Sequence, residues 1–92
     1  MGSQDQPNRE ALAELDRVLF ETYQHRCVGC FINKAVTIHE LEPKSKAPSN
    51  WFLPDNRVTL CEICHREAHR QTTISAAFLS KQRKKLLALI HG

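Results

Sequence analysis

The side chains best suited to chemistry in this 92-residue chain are four cysteines and three of its histidines. Cys27-Val28-Gly29-Cys30 and Cys61-Glu62-Ile63-Cys64 are two CxxC pairs separated by 30 residues. Two-residue spacing lets both sulfurs of a pair reach one ion at ~2.3 Å, so two such pairs suit a tetrahedral structural zinc site. Binding free energy at a structural zinc site is folding free energy, which a chain this small needs. Two rivals use the same residues. Disulfides are disfavoured where thiols are kept reduced, and a redox dithiol needs one CxxC in a βαβ setting. Gly29 is expected to ease a tight turn in the first knuckle.

His65 and His69 stand i, i+4 on a predicted helix from Glu62 to about Arg70. Both imidazoles then leave one face a turn apart, a spacing that can chelate one metal ion. A histidine pair of this kind is also a common surface decoration. His39 falls in residues 35–41 (AVTIHEL), where Val36 and Ile38 alternate with Thr37 and His39 in the manner of a strand. Glu40 follows it, on the opposite strand face or tilted by a local bend. His25 and His91 lack comparable context and read as surface residues.

Positioning these groups is the work of a few short elements. Leu12, Leu15, Leu19 and Tyr23 repeat at helical spacing over residues 8–24, with Pro7 and Asn8 as start signals. Residues 42–57 hold three prolines and read as a loop, in which Trp51, Phe52 and Leu53 are expected to seal a small core. Val58-Thr59-Leu60 suit a second strand. A last amphipathic helix over 75–91 turns Leu79, Leu86, Leu87 and Ile90 inward and Lys81, Arg83, Lys84 and Lys85 largely outward. The expectation is one α+β domain with a zinc-stapled core over 27–70 between two flanking helices.

Composition narrows the classes further. Apolar residues make up 41% and charged residues 25%, which suits a globular chain. No segment approaches the ~20 apolar residues of a membrane span. The opening MGSQDQPNRE has no apolar stretch, and Gln6 stands where a myristoylation signal wants Ser or Thr. A cytoplasmic protein is expected. The net charge is only +3, but Lys44, Lys46, Arg66 and Arg70 flank the histidine-rich centre. Together with the 81–85 run they suit either a polyphosphate partner or a solvated helix face.

In order and spacing, IHELEP (38–43), Asp55-Asn56 and LCEICHREAH (60–69) resemble the HNH endonuclease family, over about residues 27–69. Asn56 stands five residues before Cys61 and nine before His65, as in the family pattern. The resemblance implies a ββα-metal finger, two strands and a helix around one catalytic divalent ion (Mn²⁺, Mg²⁺, Ni²⁺ or Zn²⁺). It places His39, His65 and His69 as ligands of that ion and Asn56 as the residue that orients the strand or adds to the metal site. Cys27, Cys30, Cys61 and Cys64 match the structural zinc ligands of a large subset of the family.

Glu40 departs from the pattern, standing where the family usually has a general-base histidine. Either Glu40 is the base, or His39 is the base and Glu40 a ligand. The implied activity is metal-dependent hydrolysis of DNA phosphodiester bonds, nicking as a monomer, in a bacterial or virus-infected cell. Lys44, Lys46, Arg66 and Arg70 would contact phosphates with little sequence preference, and protein partners of a packaging or restriction system are an added expectation. The alternative is a non-catalytic zinc module that binds DNA or serves as a packaging adaptor.

Overall fold

The computed structural model describes residues 6–70 and 74–92. In chain order the elements are α1 (Arg9–Thr22), β1 (Thr37–Glu40), β2 (Arg57–Leu60), α2 (Glu62–Arg70) and α3 (Ala76–His91). A single 3-10 turn at Pro54–Asn56 leads into β2. Three helices on one two-stranded antiparallel sheet make a small α+β fold, as the sequence leads one to expect. No helix among the described residues is long and apolar enough to cross a membrane.

α1 begins where the Asn8 side chain accepts a 2.8 Å hydrogen bond from Ala11 N–H, satisfying an otherwise orphaned donor. Its inner face runs through half-buried Leu12 and Leu15 to buried Leu19 and Tyr23. The helix stops because Gln24 and His25 adopt left-handed backbone, φ 55° and 60°, and swing the chain into the first cysteine knuckle. His25 is exposed, as expected, yet it is not idle. Its ring stacks on Phe20 at 6.0 Å and its carbonyl accepts from Ala35 N–H, so it pins that turn.

The strands pair in the register Thr37–Leu60, Ile38–Thr59, His39–Val58 and Glu40–Arg57. β2 is buried along its whole length, β1 only partly. The reason is that β2 lies in the middle. The Leu60 carbonyl accepts from Val36 N–H on the β1 side, and the Thr59 carbonyl accepts from Val28 N–H of the knuckle on the other. β1 is shorter than the expected 35–41 because only residues 37–40 join the ladder, leaving Val36 62% exposed.

β2 also starts one residue earlier than expected, at Arg57. Its side chain is 4% exposed, with Nη1 2.7 Å from Asp16 Oδ1 on α1. The contact is ionic rather than a well-aligned hydrogen bond. A guanidinium so deeply buried needs its counter-charge, and the pair locks α1 to β2.

α3 is capped by Ser75, whose Oγ accepts from Phe78 N–H at 3.1 Å. Leu79 and Leu86 enter the core, and Leu87 and Ile90 pack against it. Lys81, Lys84 and Lys85 are exposed, but Arg83 departs from the expected outward run and lies half-buried against the Tyr23 hydroxyl. Trp51 is buried as expected, Phe52 is half-buried, and Leu53 is exposed. Leu53 stands clear of the core because it is the extended residue capping the 3-10 turn.

Candidate metal centres

The two cysteine knuckles meet. The sulfurs of Cys27, Cys30, Cys61 and Cys64 all lie within 4.8 Å of one another, and none is in a disulfide. Tetrahedral zinc with ~2.3 Å bonds separates its sulfurs by roughly 3.8 Å. Donor chemistry and spacing therefore fit a closed structural site. Three N–H groups point at the sulfurs: Asn33 N–H at Cys30 (3.4 Å), Asn33 Nδ2 at Cys61 (3.6 Å) and Cys64 N–H at Cys61 (3.4 Å). The last also caps the start of α2.

These contacts divide the thiols. Burial pushes the Cys27 thiol up, and burial together with the adjacent Cys27 pushes Cys64 up strongly. At Cys61 burial acts upward too, but the Cys64 N–H, the Asn33 amide and the neighbouring thiols bring it down to about 6. The Cys61 thiolate thus forms readily, and a cation is needed to hold Cys27 and Cys64 ionised beside it. Nothing in the sequence marks Asn33, an exposed residue after a knuckle, as a donor to a thiolate.

Gly29 has a different role from the one expected. Its φ is not positive; the left-handed residue in this knuckle is Phe31, at φ 65°. What Gly29 supplies is room. A Cβ there would sit 2.9 Å from Cys64 Sγ and 3.0 Å from Cys64 Cβ, so any side chain would push into the four-sulfur cluster.

The second cluster combines His39 of β1 with His65 and His69 of α2, whose ring nitrogens also gather within 4.8 Å. His65 Nε2 and His69 Nε2 are 3.1 Å apart. The His39 ring stands edge-on to both, its centroid 5.5 Å from that of His65 and 5.6 Å from that of His69. Burial, then repulsion from His65 and His69, brings His39 down to about 4, and burial with His69 lowers His65. Both rings are neutral at pH 7, the form that ligates a metal. Three convergent imidazoles fit a divalent ion.

Thr37 supports this cluster. It shares a strand face with His39 by two-residue alternation, and its Oγ1 lies 3.0 Å from His65 Nδ1. The hydroxyl can accept from Nδ1–H while donating to the Ile38 carbonyl at 3.4 Å, leaving His65 Nε2 facing its two partners. Holding the ligand tautomer through the second ring nitrogen is how outer contacts tune metal sites.

The histidines open onto a cavity of about 610 Å³, lined also by Glu40, Glu42, Lys46 and the start of α3 at Ser75 and Ala76. Glu40 lines the cavity but is not among the clustered metal-donor groups. Asn56 lies outside that cluster as well. Its Nδ2 donates to the Trp51 and Glu42 carbonyls, its Oδ1 accepts from Glu42 N–H, and its own carbonyl accepts from Leu41 N–H. It clamps both ends of the loop that follows Glu40, and so orients the strand.

Three of the four cations expected at the site have partners within the chain. Lys44 Nζ sits 5.2 Å over the Trp51 ring, Arg66 is 4.0 Å from Glu62, and Arg70 is 3.7 Å from Glu67. The two arginine pairs are exposed and weak. Lys46 is the only Lys or Arg among the described residues lining the cavity. No protein-family model, curated protein or solved structure matches this chain.

Proposed function

We propose that this chain is a metal-dependent DNA endonuclease of the HNH type, stapled by zinc on its four cysteines. The observation that carries the reading is the convergence at a cavity of His39 from β1 with His65 and His69 from α2, the helix whose start the cysteine cluster fixes. Cys64 and His65 are consecutive. One bond separates a closed site from an open one.

His39, His65 and His69 would hold a divalent ion, whose contribution is Lewis-acid stabilisation of the charge that grows on a phosphodiester during hydrolysis. An all-imidazole set suits Mn²⁺, Ni²⁺ or Zn²⁺ better than Mg²⁺, which prefers oxygen ligands. Glu40 lines the same cavity without joining the donor cluster, which favours it over His39 as the base. Its carboxylate takes a proton from water, the water oxygen bonds to phosphorus, and the P–O3′ bond breaks, the departing 3′ oxygen taking a proton from solvent water. Lys46 meets a nonbridging phosphate oxygen, and Asn56 holds Glu40 in place through the loop it clamps. One such site cuts one strand, so a monomer nicks.

Zinc-loaded protein with Mn²⁺ should convert supercoiled plasmid to nicked circles. Glu40→Gln and His65→Ala should each slow this at least ~100-fold, the usual worth of a general base or more. Equal cleavage by the wild type and His65→Ala overturns the assignment.

A zinc adaptor without catalysis is the second reading. Ile32 (87% exposed) and Ile63 (59%) sit on the two cysteine-bearing segments, a placement that suits a protein partner. Intact plasmid under every divalent ion, with metal still bound by the cysteines, would favour it.

A further inference from the structure

Charge is distributed unevenly along the chain. Five of the thirteen Lys and Arg, and none of the ten Asp and Glu, lie beyond Glu67. Four of those five fall in α3, and Arg83 is the one turned inward, toward Tyr23. Lys81, Lys84 and Lys85 are exposed and have no carboxylate partner among the described residues.

Their spacing puts them on one face. Positions i, i+3 and i+4 of a helix are neighbours, and this trio lies opposite the core stripe of Leu79 and Leu86. Ala77 and Ala88 share its exposed face, and Phe78 (38% exposed) and Leu89 (70%) border it on one side. At 1.5 Å per residue, the three cover roughly 6 Å along the axis, a little under two phosphate steps of about 3.4 Å along one strand of a duplex. α3 also starts at the histidine cavity, whose wall includes Ser75 and Ala76. Lys81 stands about 7.5 Å further along the axis than Ala76.

We propose that the Lys81–Lys84–Lys85 face of α3 is a duplex-DNA docking surface that tracks the phosphate backbone leading away from the histidine cavity. Like charges left unpaired side by side cost stability unless a polyanion meets them. The surface supplies affinity and no base sequence information, since it offers only cations to phosphate. It complements a cavity with one cation and two carboxylates, Glu40 and Glu42, which is poorly charged to recruit DNA by itself. This inference rests on the nuclease reading only for which phosphate enters the cavity.

The test is the salt dependence of binding to a ~20 base-pair duplex, measured without added divalent ion on wild type and K81Q/K84Q/K85Q. Each phosphate no longer neutralised by a lysine should reduce the slope of log K against log salt by about 0.9, so the triple variant should lose between 2 and 3 units, as a rough sum. Affinity at low salt should fall at least about tenfold. K81R/K84R/K85R, which keeps the charges, should bind like the wild type. An unchanged slope in the glutamine variant overturns the surface. Wild-type plasmid cleavage separates the two ideas. No cleavage with a reduced slope keeps the surface and removes the nuclease reading; cleavage with an unchanged slope does the reverse.

Discussion

Thr37 Oγ1 lies 3.0 Å from His65 Nδ1, a side-chain contact that ties β1 to the histidine-bearing face of α2. The hydroxyl sets which His65 nitrogen is free, so it would tune the affinity of the cluster for a metal ion without itself being a ligand. Thr37→Val keeps the shape and removes the hydrogen bond. Affinity of the histidine cluster for Ni²⁺ or Mn²⁺, read by calorimetry, should fall about 10- to 100-fold. Thr37→Ser should recover most of it. Equal affinity in the valine variant would show that His65 is held by packing alone.

Gly29 and the cysteine cluster make a second prediction. Gly29→Ala drives a Cβ into Cys64, whose sulfur and Cβ are both near the limit of approach. Overpacking of this kind costs about 1–3 kcal/mol, and here it acts on a metal ligand. The purified protein should carry one zinc per chain, and the alanine variant should release it at lower chelator concentration. Removing zinc from the wild type should erase the cooperative thermal transition. A chelated chain that still melts cooperatively would mean the four thiols are not the staple.

The histidine cluster makes stability depend on pH in a definite direction. His39 is held near 4 by burial first and by His65 and His69 second, and His65 is lowered as well. In the unfolded chain these rings take a proton near their ordinary pKa of about 6.5. The unfolded state therefore binds more protons as pH falls below that value, and stability present above it drains away toward 4. Thermal midpoints of protein free of added divalent ion should drop between pH 7 and 5. His39→Asn should flatten that drop; an equal slope in the variant would place its origin elsewhere.

Asp16 guards the only deeply buried arginine among the described residues. Asp16→Ala leaves the Arg57 guanidinium facing the core without a counter-charge, a change that costs roughly 3 kcal/mol. Denaturant melts should show it. The double variant Asp16→Ala with Arg57→Met should regain much of that stability, because the penalty belongs to the stranded charge. A double variant as unstable as the single would assign the effect to packing instead.

How much of the molecule is legible in its sequence depends on distance along the chain. CxxC spacing and the His65–His69 pair are local, so two ligands at a time announce themselves. Helix limits follow from periodicity, and α2 starts and ends where the sequence expects. The meeting of His39 with α2 is reached from sequence only through family resemblance. Thr37 with His65, Asn33 with Cys61, and Asp16 with Arg57 give no such signal, because each pair is distant in sequence and made of residue types with many uses. Gly29 stands out for the wrong reason: a glycine in a knuckle suggests a turn, whereas the space it leaves is visible only when Cys64 is in place.

Cys64 and His65, adjacent on α2, divide the molecule between permanence and change. The sulfur side anchors the helix against rotation, so the imidazole side inherits a fixed direction at no further expense to the core. Residues 39, 40 and 69 can then be exchanged with the frame left intact. Glu40, which lines the cavity without joining the donor cluster, is exchangeable in the same way, so what this cavity binds can change while the fold that carries it does not.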